Sequence, residues 1–598
     1  MTDAAAQVEA ARKALADAEA ALAAEQAAAA VEAPVAEALE APAPHDGRPS
    51  RASGNANASG NAGTGPLTPA EVDAIRAGYA FDGPALEMGA LVNGDALADV
   101  PIRVPVAMMN RHGLVAGATG TGKTKTLQVL AEQLSAAGVP VFAADIKGDL
   151  SGIASPGASS EKLLERTRGI GQDWAPAATP TEYFTLGGLG TGIPIRATVS
   201  SFGSLLLSKV LGLNDTQESS LGLVFHYADK AGLPLLDLED LRAVLSFLIS
   251  PEGKPELKEL GGLSSATAGV ILRELITFAD QGADVFFGEP EIDTSLFLRT
   301  SADGRGLVSL LEIPGVQDKP ALFSTFLMWL LADLFNDLPE VGDIDKPKLV
   351  FFFDEAHLLF KNASSDFIES ITQTVRLIRS KGVGIVFVTQ TPKDVPTDVL
   401  AQIGSRVQHQ LRAHTPDDAR ALKSTVSTYP MSGYKLGEVL TQLATGEAII
   451  TVMNERGAPT PVAWTRLRAP LGSMSPTPPD VMKATVAASP LLAEYGTLVD
   501  RESAREILAA KMNTAAEADA AATAQSTTAA STAAELAKAQ REWDAAVAKG
   551  RKATTPTKQR TTSTKRQPNA LENVLSSRTG QTVVREVLRG IFGTLKRR

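Results

Sequence analysis

Hydrophobic positions along the chain fall into short apolar runs that are separated by longer segments of helical period. The runs with the composition of strands are GLVAG (113–117), PVFAAD (140–145), GLVSLLEI (306–313), KLVFFFDE (348–355), GIVFVTQ (384–390) and RVQHQLRA (406–413). Apolar runs of this length that alternate with helices are typical of a parallel sheet covered on both faces. The pattern therefore predicts an α/β fold built on a mostly parallel sheet.

This alternation changes between about 160 and 300, where SFGSLLLSKVLGL and LEDLRAVLSFLI have helical period. They predict a mainly helical insertion after the second strand. Both ends of the chain are of low complexity, and the Pro-, Gly-, Asn- and Ser-rich stretch 33–65 cannot build a packed core. The predicted organisation is an Ala-rich helical arm with a disordered linker at 1–66, a short β-rich lead-in at 67–110, the main domain at 111–470, a low-complexity linker at 471–569 and a basic amphipathic helix at 570–598.

Composition narrows the class of protein. The chain has 598 residues, 44% of them hydrophobic, and no cysteine, which excludes a disulfide scaffold and a thiolate zinc site. Its longest apolar stretch, 321–335, contains Asp333 and is shorter than the roughly 18 to 20 residues that a membrane span needs. The N-terminal residues carry acidic side chains and no apolar core of a secretory signal. We therefore expect no membrane span and a cytoplasmic location.

Charge is unevenly distributed. Residues 549–598 hold 13 basic and two acidic side chains, a balance of +11, so the rest of the chain carries −22 and the formal net charge is −11. A basic tail can bind nucleic acid through phosphates, but it can equally contact the acidic body or keep a linker solvated. DNA is therefore a candidate partner, and charge alone does not decide it.

The segment HGLVAGATGTGKTKTLQ carries the first chemical motif. Gly117, Gly122, Lys123 and Thr124 match G-x-x-x-x-G-K-[ST] between a strand candidate and a helix candidate, which is the context that a phosphate-binding loop (P-loop) requires. Inward-facing amides and the positive end of the helix would hold phosphate oxygens, Lys123 would reach the β- and γ-phosphates of ATP, and the Thr124 hydroxyl would ligate Mg²⁺. The predicted nucleotide-binding residues are Gly117, Ala118, Thr119, Gly120, Thr121, Gly122, Lys123, Thr124 and Lys125.

A second motif, LVFFFDEAHLLF, places Asp354 and Glu355 at the end of a hydrophobic strand. Ligands collect at the carboxyl ends of strands in open parallel sheets. In a P-loop ATPase the first carboxylate orients the hydration shell of Mg²⁺, and the second takes a proton from the attacking water. A solvated pair of acids is the alternative, but the apolar residues on both sides make it an unusual setting for one.

Thr389 and Gln390 end the next strand candidate, where an amide side chain can sense the γ-phosphate or align water. A simple polar cap of the strand is the alternative. We assign Gln390 to the catalytic set as a hypothesis.

Arginines precede and follow that strand. Arg376 and Arg379 are three residues apart on one predicted helix face. They are either solvated charges or arginine fingers that reach the nucleotide of a neighbouring subunit, and Arg379 is the stronger candidate. Arg406 and Arg412 are weaker candidates of the same kind.

These motifs together resemble the HerA/FtsK superfamily of P-loop ATPases, most closely its bacterial YjgR-like branch. The segments that carry the resemblance are NRHGLVAGATGTGKT, DIKGDLSG, FFFDEAHLLF, RLIRSKGVGIVFVTQTPKDVP and IGSRVQHQLRA. The resemblance covers about 80–470 and the C-terminal helix. It implies a RecA-like fold, a ring that is usually hexameric, and a motor that moves DNA or other polymers.

For single residues, the resemblance implies the roles already described for Lys123, Thr124, Asp354, Glu355, Gln390 and Arg379. It also implies a position near the nucleotide for Asp145, at the end of the second strand. The chain departs from HerA proper because only a short segment stands where HerA has a long β-barrel domain, so partners bound by that barrel do not carry over. The DEAH string does not indicate a DEAH-box helicase, because no Ser-Ala-Thr motif follows it and we find no second motor lobe of that class in the sequence.

Two classes of function follow from this reading. The first is a DNA translocase or helicase-like ATPase, and the second is an ATPase that drives protein assembly, secretion or a conformational switch without nucleic acid. A small-molecule kinase is disfavoured, because adjacent Asp and Glu at a strand end suit activation of water better than transfer to a bound acceptor. The expected assembly is a homo-hexamer, and protein partners could bind the N-terminal arm or the C-terminal helix.

Overall fold

The structure, a computed structural model, describes residues 65–550 except 260–261, 314–319, 343 and 361–364. Its centre is one sheet of 12 strands in the order β2-β1-β12-β11-β10-β3-β9-β8-β4-β7-β5-β6. The strands are β1 (Ala85–Asn93), β2 (Asp95–Pro105), β3 (Gly113–Ala116), β4 (Val141–Asp145), β5 (Thr181–Leu186), β6 (Ile193–Ile195), β7 (Val308–Glu312), β8 (Leu349–Phe353), β9 (Val383–Thr389), β10 (Ser405–Gln408), β11 (Glu447–Thr451) and β12 (Ala463–Leu467).

Helices cover the sheet and follow most of its strands. They are α1 (Pro69–Gly78), α2 (Lys123–Ala136), α3 (Glu161–Arg168), α4 (Val199–Val210), α5 (Asp215–Lys230), α6 (Leu238–Ile249), α7 (Lys254–Glu259), α8 (Ser265–Asp280), α9 (Pro320–Asp337), α10 (His357–Phe360), α11 (Ser365–Ile378), α12 (Thr397–Leu400), α13 (Pro416–Val426), α14 (Leu436–Gln442), α15 (Pro479–Ala488), α16 (Leu491–Tyr495) and α17 (Ala504–Gly550).

Parallel pairing dominates the sheet. The strands from β10 through β3, β9, β8, β4, β7 and β5 to β6 are paired in parallel, whereas β11, β12, β1 and β2 extend one edge with antiparallel pairs. The prediction of an α/β fold with a mostly parallel, RecA-like sheet is therefore confirmed. All strand residues of β8 and β9 are buried, as expected for central parallel strands that are covered on both faces.

The core between β4, α9 and the segment 286–297 is rich in aromatic rings. Phe142 of β4 packs edge-on against Phe297 at a centroid distance of 4.9 Å, and Phe286 packs against Trp329 of α9 at 5.5 Å. Such edge-to-face pairs add to the stabilisation from burial itself. The apolar stretch 321–335 is thus a buried helix of the core. Among the residues that the structure describes, none of the helices combines the length and apolarity that crossing a bilayer requires.

The predicted helical insertion at 160–300 needs correction. Two strands, β5 and β6, lie inside this range and extend the parallel sheet beyond β7. The helical part runs from α4 to α8, that is, from Val199 to Asp280. The strands were missed because they are short and because Thr181, Glu182 and Thr185 interrupt the apolar pattern.

The predicted linker at 471–569 also differs from the structure over its described part. Glu132 of α2 accepts hydrogen bonds from the backbone N–H groups of Leu471 and Gly472 at 2.8 and 2.9 Å, so the segment after β12 is attached to the body. Helices α15, α16 and α17 follow. Leu491, Tyr495 and Leu508 are buried, which explains why an Ala-rich composition did not mean a free linker here. The arm and linker at 1–64 and the helix at 570–598 lie outside the described residues.

Candidate functional site

Strand register brings the sequence motifs together at the carboxyl ends of the central parallel strands. Ala116 of β3 pairs with Thr389 of β9 on one side and with Gln408 of β10 on the other. On the far side of β9, Phe353 of β8 pairs with Phe387. The carboxyl ends of these parallel strands therefore lie in one row, which is where open sheets bind ligands.

The loop 117–122 joins β3 to α2 at these carboxyl ends and curls tightly. The N–H of Gly117 donates to the Thr389 carbonyl at 3.2 Å, and the N–H of Ala118 donates to the Gln410 carbonyl at 2.8 Å. Gly120 and Gly122 have φ values of 82° and 111°, a region that glycine adopts readily. Helix α2 begins at Lys123, and the first N–H groups of a helix have no partner within it. The loop thus presents amides and a helix dipole to an anion.

Lys123 is buried, with its ammonium group inside the curl of the loop. Nζ donates to the carbonyls of Gly117 at 2.8 Å and Ala118 at 3.3 Å. Burial lowers the pKa of Lys123, and the negative charges of Glu355 and Asp354 oppose that shift. A positive charge is therefore available in the loop, held by neutral carbonyls that an anionic ligand could replace.

Thr124 and Lys125 point toward the loop that follows β4. The Thr124 hydroxyl donates to Oδ2 of Asp149 at 3.2 Å, while Lys125 Nζ lies 3.3 Å from Gln128 Oε1 and 3.5 Å from the Asp149 carbonyl. The other carboxylate oxygen of Asp149, Oδ1, is buried and has no hydrogen-bond partner within the described structure. Thr124 and Asp149 therefore place a hydroxyl and a carboxylate next to each other beside the loop.

Asp354 and Glu355 stand at the end of β8, and both are buried. Burial, together with the neighbouring charge of Glu355, raises the pKa of Asp354 to about 7. Oδ1 of Asp354 accepts a hydrogen bond from the N–H of Glu355 at 2.9 Å. A bound cation would lower this pKa, because a nearby positive charge stabilises the ionised carboxylate.

Glu355 has an unusual backbone and two basic neighbours. Its φ of 48° lies in the left-handed region, which costs a non-glycine residue energy and is common at functional sites. One carboxylate oxygen forms an ion pair with Lys147, and the other lies 3.2 Å from Nδ1 of His357. Burial raises the pKa of Glu355, but the hydrogen bond and charge of Lys147 outweigh it and lower the pKa overall.

Two more buried carboxylates lie on the next strands of the row. Asp145 at the end of β4 accepts hydrogen bonds from the N–H groups of Gly148 and Leu150, both at 2.8 Å, so its role in this structure is to shape the 145–150 loop. Glu312 of β7 pairs with Asp145 in register. Burial raises the pKa of Glu312 to about 8, helped by the charges of Asp145 and Asp149. The sequence analysis did not identify Glu312, because it is a single acidic residue within the apolar strand candidate GLVSLLEI.

His409 packs against the phosphate-binding loop. The sequence analysis did not identify it either. Its Nε2 lies 2.9 Å from the Thr126 hydroxyl, and burial lowers its pKa to about 4, so the ring is neutral at pH 7. A Cβ added to Gly117 would stand 2.4 Å from the Cβ of His409. The contact explains why this loop position requires glycine. The only available signal in the sequence was the place of His409, directly after a strand.

The other predicted residues are divided between the carboxyl ends and the amino ends of the strands. Gln390 follows Thr389 and is exposed at the same ends as the loop. Arg412 reaches the loop as well, where its guanidinium donates to the Thr119 carbonyl at 3.4 Å.

Arg379 lies at the amino ends of the strands, in a turn just before β9. Its charge contributes to lowering the pKa of buried His112, which precedes β3. Arg376 is exposed on α11 near these ends. Arg406 donates to the Thr428 hydroxyl at 2.8 Å. The structure thus does not bring Arg379 to the phosphate-binding loop of its own chain.

Comparison with known proteins assigns the family. The sequence profile of the family described as "Helicase HerA-like C-terminal" matches residues 91–598. The chain belongs to this family. The resemblance inferred from the motifs is confirmed at the level of the HerA-like family.

Individual relatives are more distant. A probable helicase of Methanocaldococcus jannaschii is 23% identical over 358 residues, which are 57% of this chain and 64% of the relative. Among solved structures, the bacterial conjugative coupling protein TrwB is 15% identical over 68% of this chain and 94% of that one, with a TM-score of 0.46. VirB4 of Thermoanaerobacter pseudethanolicus is 15% identical over 65% and 97%, with a TM-score of 0.41. TrwB has also been solved with ADP and Mg²⁺.

Proposed function

We propose that this HerA-like chain is an ATPase that binds ATP and Mg²⁺ at the 117–124 loop and hydrolyses ATP with Glu355 as the base. The observation that carries the proposal is the strand register, which places the end of β3, before the Lys123 loop, in one row with the end of β8, where Asp354 and Glu355 stand. A phosphate-binding cation next to a metal-orienting carboxylate and a base is the set that hydrolysis of a nucleotide requires. The nine loop residues from Gly117 to Lys125 would surround the phosphates.

The residues present fit Mg²⁺. The Thr124 hydroxyl and the Asp354 carboxylate are the proposed ligands, and both are oxygen donors of the kind that Mg²⁺ prefers. The described residues contain no group of three or more side chains that could hold a metal ion by themselves. This agrees with Mg²⁺ sites in nucleotide enzymes, where one or two protein groups share the ion with substrate phosphates. When bound, the ion would neutralise charge on the β- and γ-phosphates.

Hydrolysis then follows from the arrangement at the strand ends. Glu355 accepts a proton from a water molecule as the water oxygen forms a bond to the γ-phosphorus. The bond from this phosphorus to the bridging oxygen breaks, and ADP leaves with the electron pair. Gln390 is proposed to align the water, since it follows the strand that lies between the Gly117 strand and the Asp354 strand.

The active unit that we propose is a ring, with a homo-hexamer as the expected assembly. Arg379 would complete the site of the neighbouring subunit, because its position at the opposite ends of the strands leaves no role at the loop of its own chain. A strand rises about 3.3 Å per residue, so β9 alone separates Arg379 from that loop by about 20 Å. Arginine fingers supplied by a neighbour stabilise charge on the transferring phosphoryl group.

The polymer that we propose for this motor is DNA. The proposal rests on the HerA-like family and on the "probable helicase" name of the archaeal relative. One observation favours the alternative, an ATPase that drives protein assembly or secretion: residues 1–548 carry a formal charge of −22, which repels phosphates except at the basic C-terminal segment.

The test measures ATP turnover of the full chain with and without single- or double-stranded DNA over a range of salt. A DNA motor should be stimulated by DNA at low salt, and the stimulation should fall as salt rises because phosphate contacts release counterions. Turnover that is robust but indifferent to both DNA forms supports the protein-directed alternative. Absence of turnover in the wild type, with Lys123→Ala as the matched inactive control, contradicts the ATPase itself.

A further inference from the structure

Lys147 is the cation that contacts the proposed base, and nothing in the motif analysis assigned it a role. Its ammonium group forms the ion pair with Oε1 of Glu355, and His357 lies beside Oε2. A base needs a free oxygen lone pair directed at the attacking water. Lys147 holds Oε1, so the ion pair blocks this oxygen as the acceptor, whereas Oε2 is buried without a hydrogen-bond partner among the described residues.

The two partners of this ion pair differ in freedom. The Lys147 side chain is 38% exposed, whereas that of Glu355 is 6% exposed. The backbone around Lys147 is fixed, because Asp145 accepts hydrogen bonds from the N–H groups of Gly148 and Leu150, and the Ser151 hydroxyl donates to the Gly148 carbonyl at 2.9 Å. Movement is therefore expected in the flexible lysine side chain and not in its loop or in Glu355.

The position of the γ-phosphate gives Lys147 a second partner. A general base lies about 3 Å from its water, and that water lies about 3 to 3.5 Å from the phosphorus that it attacks. An ammonium group in contact with Glu355 is thus at most about 9.5 Å from the γ-phosphorus, so about 6 Å of movement brings it into contact with the terminal phosphate. A lysine has four flexible side-chain carbons and can cross that distance by a change of rotamer. ADP offers no such partner.

We propose that Lys147 is a γ-phosphate switch, which covers Glu355 until ATP is bound and then turns to the terminal phosphate. This inference rests on the proposed ATPase function. With the switch turned, Oε1 of Glu355 is free for water, while Nδ1 of His357 still lies beside Oε2. The base is then uncovered only opposite a triphosphate.

The test compares binding of a non-hydrolysable ATP analogue and of ADP, each with Mg²⁺, by displacement of a fluorescent nucleotide. In Lys147→Met the affinity for the ATP analogue should fall about tenfold, since a charge-assisted hydrogen bond is lost, while the affinity for ADP changes less than about twofold. Lys147→Arg should keep most of the preference for the triphosphate. Lys511→Met, which removes the Lys511–Glu256 ion pair far from the strand ends, is the matched control and should alter neither affinity.

A double-mutant cycle separates a switch from a structural role. Glu355→Gln should bind the ATP analogue more tightly than the wild type, because no ion pair has to break, and this gain should vanish when Lys147→Met is also present. The same cycle measured with ADP should be additive. Equal losses of both nucleotides in Lys147→Met, or the same coupling for both, would overturn the switch. A wild type that binds neither nucleotide would overturn the proposed ATPase as well.

Discussion

Glu355 is positioned by strain at its own backbone and by its neighbours. The left-handed conformation turns the chain sharply after β8, and the N–H of Ala356 then donates to the Val388 carbonyl at 2.8 Å. Asp354 and Glu355 therefore stay at the row of strand ends instead of continuing outward. The same row contains Lys123, whose charge has the most direct consequence for binding.

The prediction for Lys123 concerns nucleotide affinity. Lys123→Ala removes the cation of the loop, and we expect at least a tenfold loss of ATP affinity, since hydrogen bonds to charged groups each contribute about 1.5–3 kcal/mol. Circular dichroism should show an intact fold. Lys346→Ala is the matched control, because Lys346 also donates to two backbone carbonyls, those of Ala137 and Gly138, and lies away from the loop. Unchanged hydrolysis in Lys123→Ala would refute the site.

The prediction for Glu312 concerns stability and pH. Because the folded state raises its pKa from 4.5 to about 8, the folded protein binds more protons than the unfolded chain between these values. The contribution of Glu312 to stability is therefore lost as pH rises through this window. Glu312→Gln should match the wild type near pH 5 and be more stable by a few kcal/mol, to order of magnitude, near pH 8.5. Thermal unfolding at both pH values checks this, and a difference in Tm that is independent of pH would contradict it.

At the scale of elements, the phosphate-binding loop is a turn packed against the next strand end. Gly117 contacts His409, and His409 in turn contacts Thr126 of α2. Gly446 adds another contact, because its N–H donates to the Thr121 carbonyl at 3.1 Å. The shape of the loop thus depends on the segment after β10 and the turn before β11 as much as on its own glycines.

Two alanine substitutions separate these effects. Gly120→Ala places a Cβ in open space at a φ of 82°, so we expect a cost of about 1–2 kcal/mol from the left-handed backbone alone. Gly117→Ala brings its Cβ to 2.4 Å from that of His409, so the loop or His409 must move, at an additional cost of about 1–3 kcal/mol. Measured Tm values and nucleotide affinities should both fall further in Gly117→Ala. Equal effects of the two variants would show that the contact with His409 does not shape the loop.

At the scale of the whole molecule, the sheet separates two kinds of charged residue. The carboxylates and Lys123 lie at the carboxyl ends of the strands, and Arg379 lies at the amino end of β9. A single chain cannot bring these groups together without breaking the sheet. The proposed catalytic set is therefore complete only when two copies meet.

Mixing of mutants tests this arrangement. Arg379→Ala should bind ATP but lose most of its hydrolysis, because a finger supplied in trans is worth about 10³ to 10⁵ in rate. Glu355→Gln should bind ATP and leave it unhydrolysed. A ring that contains both variants can pair an intact Glu355 with an intact Arg379, so activity should recover on mixing. A mixture that demonstrably co-assembles and stays inactive, or hydrolysis by a monomer, would refute the shared site.

The sequence by itself determined the parts of the site that lie within one loop or one strand end. The Gly117–Thr124 spacing and the Asp354–Glu355 pair are local, and apolar runs of strand length were enough to predict the α/β class. The strands β5 and β6 were missed because polar residues interrupt their short apolar patterns, and the helices after 471 were missed because composition does not reveal which Leu and Tyr side chains are buried.

Only the tertiary structure decided which groups share the site. Strand order and register arise from pairing between segments far apart in the chain, and no local pattern encodes them. That pairing puts His409 under Gly117, Glu312 beside Asp145 and Lys147 on Glu355. It also places Arg379 at the opposite ends of the strands from the phosphate-binding loop. Arg379 precedes β9, and the full length of this strand separates it from the residues that follow β9.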